Sequence, residues 1–308
     1  MLNEIGVSIY HIPRFEVCDM TESDKKKVEA YRKELGKYPK PSCTADIVAV
    51  RPAYGERSDA TWRNNLEFAL EILLVKRGQW PYEGCWALPG GFIRPTETVE
   101  GGARRELMEE ASLKANTLIP VGVFSKPGRD MRAWIISNAF VSVHARGEGN
   151  DVKGGDDAAE AKWFRVVSPT IRDGRFDLPF CLDGHPAFSL TGTCAQDSLG
   201  GGRVVSVEKN PMAFDHAEII ATAFLRMLAF DPRKLAFFFL PEKFTLANYI
   251  DVYRYLTHEE ADLGNLPNLR RQLTETKDPL LVVCPGEFED LCGRGHARAK
   301  LYRRAGLT

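Results

Sequence analysis

Apolar positions along the chain fall into two rhythms that predict its elements. Cys43–Val50 and Leu66–Val75 are strand candidates, the first ended by Pro52 and the second closed by Lys76-Arg77-Gly78. A short third strand, Trp86–Leu88, runs into Pro89-Gly90-Gly91. The spacing then changes: Val99, Ala103, Leu107 and Ala111 recur every four residues among good helix formers, which predicts a helix over 97–113. Strands are expected around Leu118–Phe124 and Ala133–His144 with a charged loop, 126–132, between them, and at Ala161–Val167. The Gly/Asp-rich stretch 147–157 reads as a mobile loop. Residues 168–211 resist placement beyond a hairpin pairing 187–190 with 204–207 across Gly200–Gly202.

The C-terminal third turns helical. An amphipathic helix is expected over 214–230 and is interrupted by Asp231-Pro232, so a domain boundary is placed near 230. Helices at 245–256, 258–263 and 267–276 follow, then strands at 280–284 and 300–303. At the other end, Thr21–Leu35 reads as an exposed charged helix, with Thr21 and Asp24 as its cap and Gly36 and Pro39 as its stop. The expected organisation is an extension over 1–40, a domain over 41–229 with an insertion at about 168–211, and a domain over 230–308.

Composition narrows the function classes. With 308 residues, two domains are the prior. Charge is balanced, 41 Lys+Arg against 42 Asp+Glu, so no global field draws the chain to nucleic acid or anionic lipid. No apolar run approaches the ~20 residues of a membrane-spanning helix, and the N-terminus lacks a secretory pattern, so a cytoplasmic protein with no membrane partner is expected. The 7 cysteines are scattered without a C-x-x-C pair and read as reduced thiols.

The chemistry concentrates in 91–113. Glu106 is followed by Glu109 and Glu110, which puts three carboxylates on or near one helical face, where like charges repel by a few tenths of a kcal/mol per exposed pair. A divalent cation relieves that repulsion, and hard oxygen ligands suit Mg²⁺ or Mn²⁺. The Gly90-Gly91 pair lets backbone approach the same ion, and Arg105 can pair with Glu97 to fix the loop. Taken alone, Glu-x-x-Glu-Glu is also what a solvated acidic helix face looks like.

The full spacing decides between the two. Gly91, Glu97, Arg105, Glu106, Leu107, Glu109, Glu110 and Leu113 match G-x5-E-x7-R-E-U-x-E-E-x-G-U (U apolar), so the segment resembles the Nudix hydrolases, with Ser112 standing where that family has Gly. The resemblance implies an α/β fold, an α/β/α sandwich around a mixed sheet. It implies metal binding by Glu106, Glu109, Glu110 and the Gly90 carbonyl, with Glu97 and Arg105 shaping the loop. It also implies a further acid from outside the segment; Glu160 and Asp157 are the candidates, each equally readable as a loop solubiliser. The loop 124–132 resembles that of Nudix proteins acting on ADP-ribose or linked to NAD metabolism. Arg129, Arg132 and, more weakly, Arg77 are candidate substrate ligands, although a charged turn gives the same pattern. Trp80 or Tyr82 is a candidate for base stacking.

A second resemblance covers 212–304. Phe214-Asp215-His216, Leu240–Leu246, Asn268–Arg271 and Lys300–Arg303 are similar to the C-terminal part of Nudix-related transcriptional regulators, which implies a winged helix-turn-helix. Residues 265–308 carry eight Lys/Arg against five Asp/Glu. Arg270, Arg271, Arg294, Arg298 and Lys300 are candidate DNA contacts. Two readings stand: a Mg²⁺-dependent pyrophosphohydrolase acting on ADP-ribose or a related nucleoside diphosphate sugar, and a DNA-binding regulator that senses such a ligand. Homodimerisation is expected by analogy with related pyrophosphatases.

Overall fold

The computed structural model describes residues 21–54, 68–115, 117–144, 148–155, 158–196, 202–229, 231–257, 266–275, 279–290 and 298–305. Helix α1 (Glu22–Leu35) begins where expected: Thr21 accepts from the Asp24 N–H and donates to its carboxylate. None of its side chains is buried.

The centre of the fold is a strand that is apolar on both sides. In β1 (Ser42–Tyr54), Ile47 and Ala49 point to one face and Val48 and Val50 to the other, all fully buried. Its neighbour β2 (Phe68–Arg77) does the same, with Leu73 and Val75 on one side and Ile72 and Leu74 on the other. Such strands need a layer on each face. One layer is α2 (Val99–Ala111), whose Ala103, Leu107 and Ala111 stripe is buried against Ile47, Ala49 and Leu73. The other is α3 (His216–Ala229), which buries Ile219, Ile220, Ala223 and Phe224. Each large apolar side chain so buried contributes about 1.5–3 kcal/mol. The expected α/β/α sandwich is the observed architecture.

Between these helices the strands are β3 (Trp86–Ala87), β4 (Gly90–Phe92), β5 (Ile119–Phe124), β6 (Ile135–Val143), β7 (Ala158–Val166), β8 (Thr170–Arg172), β9 (Arg175–Leu182), β10 (His185–Gln196) and β11 (Gly202–Val207). Together they make one mixed sheet with the path β11-β10-β9-β7-β2-β1-β6-β5, in which β1 and β6 are parallel and the other pairs antiparallel. Asp46 of β1 lies opposite Gly90 of β4.

Three expectations change. The hairpin expected to pair 187–190 with 204–207 is shifted, since Val204–Val207 pairs with Gly192–Cys194 of β10 while Phe188–Leu190 pairs with Leu178–Phe180 of β9; β8 to β11, in the stretch expected as an insertion, extend the same sheet. Pro52 does not end β1, because it pairs in register with Leu70 inside the strand. The described residues of the Gly/Asp-rich stretch are pinned: Arg51 donates to the Glu148 carbonyl at 2.7 Å, Trp163 Nε1 to the Gly149 carbonyl at 2.8 Å, and the Gly155 N–H to the Glu110 carbonyl at 3.2 Å. Composition spoke for a loop there but is blind to these three anchors.

Beyond α3 come α4 (Pro232–Leu235), β12 (Phe244–Thr245), α5 (Leu246–Thr257), α6 (Leu266–Thr274), β13 (Leu281–Asp290) and β14 (Arg298–Arg304). The strands form a small sheet, β12-β14-β13. Helix, strand, two helices and two strands thus follow one another, with the first strand paired to the last. The helix expected at 258–263 and the turn between β13 and β14 lie outside the described residues. The apolar core does not break near 230: Tyr249, Val252 and Leu256 join the cluster of Leu70, Ile72 and Phe224, and the buried Tyr255 hydroxyl donates to the Val166 carbonyl at 3.0 Å. No helix among the described residues is long and apolar enough to cross a membrane.

Helix α2 ends on a residue its conformation does not favour. Ser112 caps it in the left-handed region, φ 52° and ψ 33°, where a Cβ costs about 1 kcal/mol relative to Gly. We expect Ser112→Gly to raise unfolding free energy by about 0.5–1 kcal/mol in denaturant titrations; a loss of stability contradicts the cap assignment.

Candidate active site

Two glycines allow the site to form. A Cβ on Gly91 would lie 2.6 Å from the Glu106 carboxylate, and one on Gly90 would lie 2.3 Å from the Ala45 carbonyl and 2.7 Å from Asp46 Oδ1. Neither position accepts a side chain without displacing what lies over it. Strand β4 thus lies flat under the start of the site, and α2 projects its acids across it.

Arg105 is the hub. Its guanidinium reaches Glu97 at 2.6 Å, Glu106 at 2.6 Å and Glu109 at 2.9 Å, and donates to the Phe92 carbonyl at 3.0 Å. Glu97 also accepts the Arg94 N–H at 2.7 Å, so the segment between β4 and α2 is tied at both ends. These bonds, first those from Arg105, push the Glu97 carboxyl down to about 2, and Arg105 is held charged. The expected Arg105–Glu97 pair is present, and the same arginine takes two of the three acids as well.

The three acids differ. Glu109 is paired with Arg105 and, at 3.4 Å, with Arg94. Glu106 is raised by burial despite its Arg105 bond. Glu110 accepts the Gly90 N–H at 2.9 Å, and burial pushes its carboxyl up to about 8, opposed by that bond and reinforced by Glu106 and Asp46. No three acids among the described residues already stand as a ligand cage. The donor set nevertheless fits a hard cation. All the groups are oxygens, and the Glu106 carboxylate rests in the cradle that a Cβ on Gly91 would fill. Glu110 is buried against a backbone N–H rather than a cation.

Beneath the site lies an unforeseen buried network. Asp46 accepts a short hydrogen bond from Ser137, sits 3.6 Å from Arg129 and 3.8 Å from His216 Nε2. Arg129 forks onto Asp215 at 2.8 and 2.6 Å with its side chain 4% exposed. His216 Nδ1 accepts the Leu88 N–H at 2.8 Å, and burial pushes the ring's pKa down against the pull of Asp46 and Asp215. Phe214, at φ 51°, gathers Tyr82, Arg77, Arg132 and His216 around its ring. The Phe214-Asp215-His216 triplet therefore joins α3 to the floor of the site. An Asp inside the apolar run 45–50 was its one visible signal in the sequence.

Several candidate residues are placed differently from expectation. Glu160 pairs with Lys76 and Lys162, each at 3.3 Å, and these bonds lower its carboxyl, so it is a lysine partner and a weakened base. Asp157 lies outside the described residues. Arg129 is spent on Asp215. Arg132 forks onto Asp130 at 2.7 Å and lies over Phe92 and Phe214, while Arg77 Nε donates to the Pro81 carbonyl at 2.7 Å. Local sequence does not reveal such partners, which for Glu160 come from β2 and β7, for Arg129 from the residue before α3, and for Arg132 and Arg77 from neighbouring turns. Tyr82 packs on Phe214, whereas Trp80 is 69% exposed.

Residues 63–177 match the NUDIX domain family. The chain is 46% identical over 94 residues to the ADP-ribose pyrophosphatase of Methanocaldococcus jannaschii, covering 30% of this chain and 54% of that protein. It is 27% identical over 108 residues to the ADPR-responsive transcriptional repressor NtrR of Acinetobacter baylyi, covering 34% of this chain and 38% of that protein. The chain thus spans about half the length, or less, of these curated relatives. A solved MutT/nudix family protein from Enterococcus faecalis shares the fold over 93% of this chain and 99% of its own, at 22% identity and TM-score 0.61. Over residues 63–177 the chain thus matches a NUDIX domain, and over 94 residues it is similar to an ADP-ribose pyrophosphatase.

The state of Glu110 yields a pH test. Its folded carboxyl lies above the unfolded value of 4.5, so the unfolded chain loses its proton first and stability falls as pH rises from about 4.5 to 8. In chelator, Glu110→Gln should therefore gain on the wild type across that window, by on the order of 1–3 kcal/mol. A variant whose stability tracks the wild type at every pH contradicts the buried, uncompensated carboxylate.

Proposed function

We propose that the chain is a Mg²⁺- or Mn²⁺-dependent pyrophosphohydrolase that cleaves the diphosphate of ADP-ribose or a related nucleoside diphosphate sugar. The observation that carries this reading is the arrangement around Arg105, where Glu97, Glu106 and Glu109 gather with Glu110 beside Gly90. The 46% identity to an ADP-ribose pyrophosphatase covers 94 residues and supports the substrate class.

In this reading Glu106, Glu109, Glu110 and the Gly90 carbonyl hold the cation. When bound, it supplies charge neutralisation on the diphosphate and a water of lowered pKa. Arg105 gives up Glu106 and Glu109 to that role and keeps Glu97 and the Phe92 carbonyl, which preserves the loop. Asp46, buried under Gly90, keeps β4 in register, and Arg94 at the rim can meet a phosphate oxygen. Water adds to one phosphorus, the bridging P–O bond breaks, and the leaving phosphate takes the electron pair. ADP-ribose gives AMP and ribose 5-phosphate. Incubation with Mg²⁺ and ADP-ribose should release AMP, and Glu109→Gln should lower kcat by about 100-fold or more with the fold intact. Failure to cleave any member of a diphosphate panel overturns the reading.

The C-terminal topology favours a second reading alongside it, a regulator that binds DNA through a winged helix over 230–308. Arg270 and Arg271 are exposed on α6, and Arg298 and Lys300 lie on β14; Arg294 is outside the described residues. Likeness to a transcriptional repressor supports it. A homodimer in the cytoplasm belongs to the same proposal. Arg270→Ala with Arg271→Ala should weaken binding to operator DNA and make its salt dependence shallower; unchanged binding removes α6 from the contact.

A further inference from the structure

The sheet curls far enough that its two edge strands, β5 and β11, border one groove, closed behind by α3. The groove holds about 290 Å³, near the lower end of small-molecule sites. Its apolar strip is Val121, Phe124 and Val204. Around it stand Lys126, Arg203 and Arg226, all exposed, and none makes an ion pair among the described residues. Arg226 reaches over Gly122, where a Cβ would lie 3.6 Å from its guanidinium. One carboxylate without a hydrogen-bond partner among the described residues, Glu218, faces the same space. Burial raises it. Asp215 also lines the groove, but its charge is met by Arg129.

The chemistry of this groove is asymmetric. Three cations on one rim suit the two charges of a phosphate monoester, and arginine offers it a fork. A lone acceptor such as Glu218 suits a vicinal diol, as an acidic residue does for the ribose of a dinucleotide. The apolar strip suits a flat or hydrocarbon face. Asp215, Arg129 and Asp46 stand between the groove and Gly90, so the groove is separate from the acids of α2.

We propose that the groove between β5, β11 and α3 is a second ligand site, taking a phosphorylated ribose with its phosphate on Lys126, Arg203 and Arg226 and its hydroxyls on Glu218. The cations without ion pairs and the acid without a hydrogen-bond partner among the described residues are both answered by one molecule of that class, and the volume suits a mononucleotide-sized group rather than a dinucleotide. A nucleoside monophosphate and a free sugar phosphate share the recognised part.

Calorimetry on the full chain in chelator, with AMP, ribose 5-phosphate and inorganic phosphate in separate titrations, tests the site. These probes carry no diphosphate to hydrolyse, so the outcome is independent of whether the chain is a hydrolase. Binding of AMP or ribose 5-phosphate, at least tenfold tighter than inorganic phosphate and weakened at least tenfold by Arg203→Ala with Arg226→Ala, is the expected result. Glu218→Gln should weaken the ribose-bearing probes and leave inorganic phosphate unaffected. AMP exceeding ribose 5-phosphate places a base on the apolar strip, and equal affinities make the sugar phosphate sufficient; both support the site. No binding, binding indifferent to the arginine substitutions, or equal affinity for inorganic phosphate overturns it.

Discussion

One guanidinium sets the geometry on which the site depends. Arg105 joins the loop acid Glu97, the strand carbonyl of Phe92 and two acids of α2 within a single fork. Its side chain is 17% exposed, so these charge-assisted bonds act where water screens them poorly. Remove it and four acceptors lose their shared donor, with Glu106 already crowded over Gly91. The count of charges is the telling feature. Around Arg105 and Arg94 stand Glu97, Glu106, Glu109 and the buried Glu110, with Asp46 below. The surplus of acid is largest at Glu110, the carboxyl that burial raises most.

The floor explains why the site sits where it does. Strands β1 and β4 meet at Asp46 and Gly90, and Asp46 is answered by Ser137 from β6 and by Arg129. Through Asp215 and His216 the same network reaches α3, whose far side packs into the core shared with α5. Charge pairing at the floor and apolar packing behind it therefore fix α3 together. A buried fork such as Arg129–Asp215 contributes geometric definition more surely than net stability, because desolvation offsets its attraction.

Much of this was legible in the sequence, and the rest fails for identifiable reasons. The four-residue stripe of Val99, Ala103, Leu107 and Ala111 marked α2, and the spacing of its acids marked the chemistry. The family resemblance rested on the same residues. Local pattern did not show that residues 168–211 continue the sheet, because only β9 joins it, by pairing with β7, and β8, β10 and β11 build on from β9 across a Pro- and Gly-rich stretch rather than by dense apolar runs. Nor did it show what Arg129, Arg132 and Glu160 would bind. Their charges were plain, but their partners Asp215 and Lys76 lie 86 and 84 residues away in the chain; for Arg132 it was Asp130, two residues off, whose burial was invisible. Asp46 is the converse case, an acid whose place in an apolar run is visible in the sequence but whose partners only the tertiary structure supplies.

We propose that the acids of α2, surplus to the arginines that hold them, are arranged to take a divalent cation beside Gly90. Paramagnetic line broadening by Mn²⁺, followed by amide NMR of the full chain, tests this directly. At substoichiometric Mn²⁺ the signals of Gly90, Gly91 and Glu106–Glu110 should vanish first, and excess Mg²⁺ should restore them. Broadening that begins elsewhere, or that leaves those amides untouched at saturation, contradicts it.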